Sequence, residues 1–325
     1  MSYSIFIEDI DRLVERWQTI SDSFGHVPFF VLPNWLKAWW SIFGTHKNLL
    51  LQIVKQGGNT IGISPLRIKQ GTASFIGDAA VCDYLDFLII QGKEKDFFTV
   101  LINQLKASGI STLSLEALRP DSTVLQHLIP LARDQRYDVS CKNYNVSVHM
   151  QLPETWSKYL SLLSSKQRHE IKRKLRRLDE LGEVKFYTTN SYQEAREGLI
   201  RFIAMFRASR RDKALFMDNQ MQAFFKRLVK LMAGGGLIKF GFLELNRFPV
   251  AVVIYFDYHD NIYLYNSGYN PDYRQDSVGI LSKVLCIKEG IAHNKKLFDF
   301  LQGPEIYKYR LGGTEIPLYK CNIVF

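Results

Sequence analysis

The end of the chain holds the first residues that could do chemistry: Phe298-Asp299-Phe300-Leu301-Gln302-Gly303-Pro304-Glu305-Ile306-Tyr307-Lys308-Tyr309-Arg310-Leu311-Gly312-Gly313. An acid sits inside an apolar run, and Tyr307, Lys308 and Arg310 follow a few residues on. An isolated buried carboxylate is costly, so Asp299 is expected to be paired, with Lys308 or Arg310 able to reach back to it. Two readings are open. One is a structural ion pair that holds the end of a strand. The other is an acid–base or substrate-orienting group at a cleft.

A second candidate is the turn Tyr269-Asn270-Pro271-Asp272-Tyr273-Arg274-Gln275-Asp276-Ser277-Val278-Gly279, between an apolar strand and a helix of about four turns. Helix N-termini present N–H groups and a positive dipole end, which suit a pyrophosphate. Gly279 permits close backbone approach, and Arg274 can add a charge-assisted contact. Arg274, Ser277, Val278 and Gly279 are thus the candidate cofactor contacts. The competing reading is an ordinary helix start capped by Asp276 or Ser277.

The third is a basic helix. Ser164–Leu181 carries Lys166, Arg168, Lys172, Arg173, Lys174, Arg176 and Arg177 against Glu170, Asp179 and Glu180, a large part of the net charge of +10. Ile171, Leu175 and Leu178 form an apolar stripe at helical spacing. The remainder is either a solvated face or a site for an anionic substrate, with Lys172, Arg173 and Arg176 as contacts. Aromatic residues are not interleaved here, which argues against a platform for single-stranded nucleic acid.

Other chemistries are excluded. His169-Glu170 has no second histidine at metal spacing, and no Gly-x-Ser-x-Gly elbow occurs. Gly234-Gly235-Gly236 lacks a following Lys-Ser/Thr and reads as a helix stop. Cys82, Cys141, Cys286 and Cys321 lie far apart, without a Cys-x-x-Cys, and are expected to be free thiols in a reducing compartment. The start Met1-Ser2-Tyr3-Ser4-Ile5-Phe6-Ile7-Glu8-Asp9 is acidic where a secretion signal is basic, and no apolar run is long enough to span a bilayer. A cytoplasmic protein without a metal is expected.

The elements that must position these residues follow from periodicity. Helices are expected over Asp9–Ile20 and, after the loop His26-Val27-Pro28-Phe29-Phe30, over Pro33–Phe43, whose Trp35, Trp39 and Trp40 share one side as a packed anchor. Leu49–Val54 and Thr60–Ile68 form a hairpin, and Tyr84–Ile90 a further strand. Glu94–Ser108 is a helix, Thr112–Leu115 a strand, Asp121–Arg136 a helix and Tyr144–Met150 a strand. Past Leu152-Pro153 the order repeats. Helices cover Pro153–Leu163, Ser164–Leu181, Tyr192–Ser209 and Asp218–Met232, with strand Val184–Thr188 among them. Leu237–Leu245 and Pro249–Tyr258 form a hairpin, followed by strand Asn261–Ser267, helix Val278–His293, and strands Leu297–Leu301 and Pro317–Val324. Two halves are expected, 1–152 and 153–325, each a mixed sheet flanked by helices. A ligand in such a sheet sits where neighbouring strands diverge.

The tail Phe298-Asp299-Phe300-Leu301-x-Gly303 with Tyr307-Lys308-x-Arg310-x-Gly312 resembles the bacterial acetyltransferase (GNAT) domain family that includes CelD-type cellulose-biosynthesis proteins. Similar to that family as well are Pro28-Phe29 with Trp35 and Trp39-Trp40, Gly62-Ile63-Ser64-Pro65-Leu66, Phe75-Ile76-Gly77-Asp78 leading to Asp83-Tyr84-Leu85-Asp86, and the basic helix ahead of Leu178-x-x-Leu181-Gly182. The resemblance implies an α/β (α+β) tandem GNAT-like fold, akin to the Fem peptidyltransferases, with the donor site in the second half. It implies an acyl-CoA co-substrate, acetyl-CoA or another, and transfer to an amine or hydroxyl by direct attack. The acceptor would be a small molecule or a glycan or peptide precursor. In that chemistry Asp299 would deprotonate or orient the acceptor, Tyr307 would protonate the leaving thiolate, and Lys308 would balance charge, with Arg310 beside the substrate. Two alternatives stand: a Fem-like transferase that takes its acyl group from aminoacyl-tRNA, and an inactive GNAT scaffold in polysaccharide or envelope biosynthesis.

Overall fold

The computed structural model describes residues 2–25, 27–44 and 48–325. Met1 and His26, named above, lie outside the described residues. The chain divides into two compact units, Met1–Val146 with Ile316–Phe325, and Ser147–Glu315.

The first unit runs β1 (Tyr3–Ile7), α1 (Ile10–Ile20), α2 (Pro33–Phe43), β2 (Leu49–Gln56), β3 (Asn59–Lys69), β4 (Thr72–Phe75), β5 (Leu88–Ile89), α3 (Glu94–Ala107), β6 (Thr112–Leu118), α4 (Ile129–Asp134) and the first part of β7 (Asp138–Gln151). Strands β1 to β4 pair antiparallel in that order, and β4 then pairs parallel with β6. Proline opens α2, where a missing N–H costs nothing. Its tryptophans are the expected anchor, for Trp35, Trp39 and Trp40 are all buried. The Trp35 indole N–H reaches Cys82 Sγ (3.2 Å), and that of Trp39 reaches Asp78 (3.3 Å), with the Arg67 guanidinium over the Trp39 ring.

Of the strand expected over Tyr84–Ile90, only Leu88–Ile89 forms. The Asp86 carboxylate instead accepts from the backbone N–H (2.7 Å) and hydroxyl (2.6 Å) of Thr123, which draws the preceding residues off the sheet and onto the start of the helical turn Val124–Leu128.

In the second unit come α5 (Trp156–Leu162), α6 (Ser165–Glu180), β8 (Val184–Thr188), α7 (Tyr192–Ser209), α8 (Arg211–Phe216), α9 (Asn219–Met232), β9 (Ile238–Leu245), β10 (Phe248–Tyr258), β11 (Asn261–Tyr269), α10 (Val278–Ala292), β12 (Leu297–Gln302) and α11 (Ile306–Arg310). Strands β8, β9, β10 and β11 pair antiparallel in turn, β11 pairs parallel with β12, and β12 pairs antiparallel with the end of β7. Alternation along β10 sends Val253 and Tyr255 into a core shared with Val284 and Ile287 of α10. It sends Phe256 to the other face, onto Tyr265, which in turn stacks near Phe225 of α9.

The last strand, β13 (Thr314–Val324), pairs antiparallel with β6, Val324 opposite Thr112. Division at Leu152-Pro153 therefore needs correcting in two ways. Ser147–Gln151 pair with β12 and join the second unit, whereas Ile316–Phe325 return to the first. The free-thiol expectation holds for Cys82 and Cys286, both buried, and fails for the other two. Cys141 and Cys321 form a disulfide with Cα atoms 4.1 Å apart, although 180 residues separate them in sequence. No local spacing signals such a pair; strand pairing creates it.

Candidate acyl-transfer site

Parallel pairing of β11 with β12 covers only Asn261, Ile262 and Tyr263 opposite Leu297, Phe298 and Asp299. Beyond that point β11 continues to Tyr269 and β12 to Gln302, so the two strands diverge. The cause is local to β12. Its register against β7 shifts between Asp299 and Gln302, and Leu301 adopts φ +63°, a conformation that an L side chain disfavours. The Asp299 carboxylate holds that bend by accepting the Leu301 N–H (2.8 Å) and the Ser147 hydroxyl (3.4 Å). From the far side Lys308 Nζ donates to the carbonyls of Leu301 (2.9 Å), Gln302 (2.7 Å) and Gly303 (3.0 Å), and to Glu305 Oε2 (2.9 Å).

Asp299 is thus buried and paired, but not by the cation expected. Lys308 is committed to three carbonyls and Glu305, and Arg310 lies exposed on α11. The physical reason is the bend itself: it frees backbone groups close by that need partners as much as the carboxylate does.

Helix α10 starts beside the gap. Among the described residues no side chain caps it, so the expected cap by Asp276 or Ser277 is absent. Ser277 takes φ +60°, and Asp276 pairs instead with Arg177 of α6 (3.7 Å). Val278 is core, Arg274 is exposed, and Gly279 makes room for a ring, since a Cβ there would lie 3.0 Å from Tyr269 Cδ1. Close approach at Gly279 is therefore made by Tyr269.

A cavity of about 820 Å³ lies between α6, the first turn of α10 and α11. Its lining includes Lys166, His169 and Lys174 of α6, Ile280 in the first turn of α10, and Tyr307 and Arg310 of α11. Burial, and then Glu305, push the Tyr307 hydroxyl pKa up, so the phenol keeps its proton. Of the residues expected to meet an anionic substrate, Arg310 lines the cavity and Lys172, Arg173 and Arg176 do not. Arg173 is bound to Glu170 (2.9 Å), whose carboxyl it draws down to about 2, and Arg176 pairs with Glu180 (3.6 Å). The face of α6 toward the cavity is fixed by its apolar stripe: Ile171 and Leu178 are buried, which leaves Lys166 and Lys174 on the cavity side.

Sequence reasoning passed over one group. Lys283 lies buried in α10 and donates to Gly279 O (2.7 Å) and Ser267 Oγ (2.8 Å), with its ammonium 5.1 Å from the centre of the Tyr307 ring. Burial first, and the neighbouring Lys213 second, bring its pKa down to about 7. Lys213 of α8 donates to the Ser267 carbonyl (2.5 Å), and burial followed by Arg210 lowers it to about 8. The signal was present: Lys283 is a charge inside Val278-Gly-Ile-Leu-Ser-Lys-Val-Leu-Cys-Ile287, the same anomaly that singled out Asp299.

Residues 165–309 match the acetyltransferase (GNAT) domain family. No curated protein matches the sequence. Three solved structures share the fold over almost the whole chain. FemX superposes with a TM-score of 0.65 at 9% identity, covering 99% of this chain and 97% of its own. The C-terminal domain of a putative lysylphosphatidylglycerol synthetase from Agrobacterium fabrum gives 0.60 at 10% identity, covering 97% and 92%. A tandem GNAT protein from the clavulanic acid biosynthesis pathway gives 0.50 at 10% identity, covering 99% and 98%. The chain therefore has a tandem GNAT-like α/β fold, and its residues 165–309 are similar to the acetyltransferase (GNAT) domain family.

Proposed function

We propose that the second unit is an acyltransferase that moves an acyl group from acyl-CoA to an amine or hydroxyl by direct attack. The observation that carries this reading is the divergence of β11 from β12 beside an uncapped helix start, together with a cavity that Ile280 in the first turn of the same helix lines along with Lys166, Lys174 and Arg310. Backbone groups along the unpaired edge of β11 can bind an extended amide chain as a further strand would. The first turn of α10 and Arg274 would hold the phosphates, with Lys166 and Lys174 adding positive charge. When bound, the thioester supplies an acyl carbonyl activated by a good leaving group.

The protein's own groups have separable tasks. Tyr307, held neutral by burial, offers a proton to a leaving thiolate. Arg310 fixes an anionic part of the acceptor from the cavity wall. Asp299 and Lys308 keep the gap open by holding the bend in β12, and so act on geometry. The fold is shared with FemX and with a lysylphosphatidylglycerol synthetase domain, which makes aminoacyl-tRNA the alternative donor.

Titrating the purified protein with acetyl-CoA, desulfo-CoA and aminoacyl-tRNA decides. Saturable binding of both CoA compounds is the expected result. Binding of aminoacyl-tRNA alone replaces the donor, and binding of none favours the scaffold reading.

A further inference from the structure

Ser267 stands on the stretch of β11 that has left β12, and it is half-buried. Its hydroxyl meets the Lys283 amine at 2.8 Å, and its carbonyl is held by Lys213. The polar partners of Lys283 are a hydroxyl and a carbonyl. The nearby carboxylate, Glu305, is engaged by Lys308. Among the described residues no carboxylate forms an ion pair with Lys283.

We propose that Ser267 and Lys283 form a nucleophile–base pair that accepts an acyl group from a thioester or activated ester. A serine hydroxyl becomes a nucleophile when an adjacent neutral amine takes its proton, and a lysine can serve when it is buried. In the first step a bond forms between Ser267 Oγ and the acyl carbon. The carbon–sulfur or carbon–oxygen bond to the leaving group breaks. The hydroxyl proton passes to Lys283 Nζ and on to the departing thiolate or alkoxide. In the second step water attacks the acyl-serine, Lys283 takes its proton and returns it to Ser267 Oγ, and the carboxylic acid leaves. Hydrolysis of an acyl donor is thus an activity of this pair in addition to transfer by direct attack.

Several groups face Lys283 and set its protonation. Lys213 of α8 disfavours the charge, whereas Glu305, ahead of α11, and Cys286 of α10 favour it. The Tyr307 ring covers it. Burial outweighs them and leaves a large neutral fraction near pH 7.

An alkyl fluorophosphonate, which phosphonylates activated serines, tests the pair in the full-length chain with mass spectrometry to locate the adduct. It carries no CoA, so the result stands apart from the identity of the acyl donor. Labelling at Ser267 is expected, with a rate that rises with pH around a midpoint near 7. Lys283→Met should slow it by about 10²-fold or more, as for a lost general base, and Ser267→Ala should abolish the adduct. Absence of the adduct at Ser267 in folded protein, or an unchanged rate in Lys283→Met, overturns the proposal. Should Lys283→Met not fold, the pH profile of the parent decides: a rate that is flat from pH 5.5 to 9 overturns it equally.

Discussion

Replacing Lys283 with methionine makes the energetic cost of its burial measurable. The amine lies in the core side of α10 with its pKa brought from 10.5 to about 7, chiefly by desolvation. In the unfolded chain the amine keeps its ordinary, higher value. Between the two values the unfolded state binds more protons than the folded one, so the parent gains stability as pH rises through this window. Below pH 7 the full cost of the buried charge is present, and it is progressively relieved above. The whole window is worth about 5 kcal/mol at 1.36 kcal/mol for each pH unit. From pH 7 to 9 the parent should gain about 2 kcal/mol relative to Lys283→Met, since the group is already half neutral at the start. Urea denaturation of both proteins at pH 7, 8 and 9, with linear extrapolation, reads the difference directly. Other titrating groups are present in both proteins and largely cancel; Lys213, which is coupled to Lys283, is taken out of the comparison by making both measurements in a Lys213→Met background. A difference that stays constant across this range would show that the amine remains charged in the folded protein, and would remove the basis for treating it as a base.

Three further outcomes are expected. Asp299→Asn should lower stability by about 1.5–3 kcal/mol through loss of charged hydrogen bonds to Leu301 and Ser147, as thermal denaturation would reveal, and any activity loss should accompany weaker CoA binding. Arg310→Ala should raise the acceptor KM about tenfold, the worth of one charge-assisted contact, whereas Lys172→Ala, away from the cavity, should leave it unchanged in steady-state kinetics. Reducing the Cys141–Cys321 bond should destabilise the first unit by about 2–4 kcal/mol, seen as a lower denaturation midpoint in dithiothreitol with no change in a Cys321→Ser control.

Much of the fold could be read in the sequence because local chemistry decided it. Helix α2 has the limits expected, Pro33–Phe43, with proline in its first turn and Gly44 just beyond its end. The β9–β10 hairpin forms between the two apolar runs expected to make it, and turns at the polar pair Asn246 and Arg247, both with positive φ. What escaped depends on partners distant in sequence. Asp86 leaves its strand for Thr123, and Cys141 finds Cys321 only after their strands have assembled. Helix α11 was hidden for another reason. It has five residues, and its sequence, Ile306–Arg310, reads as a cluster of functional groups before it reads as a helix. In the site, Tyr307 and Arg310 do meet a cavity, whereas the side of α6 that faces it depended on which way its apolar stripe is turned.

Three charged residues placed in or beside apolar runs, Asp299, Lys308 and Lys283, show why composition alone does not separate structure from chemistry. Each is buried, and each makes hydrogen bonds that offset part of its desolvation. Their partners differ in kind. Asp299 and Lys308 are bound mainly to backbone groups around Leu301, where a strained φ needs support from both sides. Exchanging protons there would disturb the bend that separates β12 from β11, so these two residues serve best when their charges stay fixed. Lys283 instead meets a side-chain hydroxyl on the open edge of β11, and its other bond is to a carbonyl within its own helix. Loss of a proton from Lys283 removes a buried charge and leaves α10 intact. Of the three, it is the residue whose protonation can change without changing the fold, which is the physical requirement for a base.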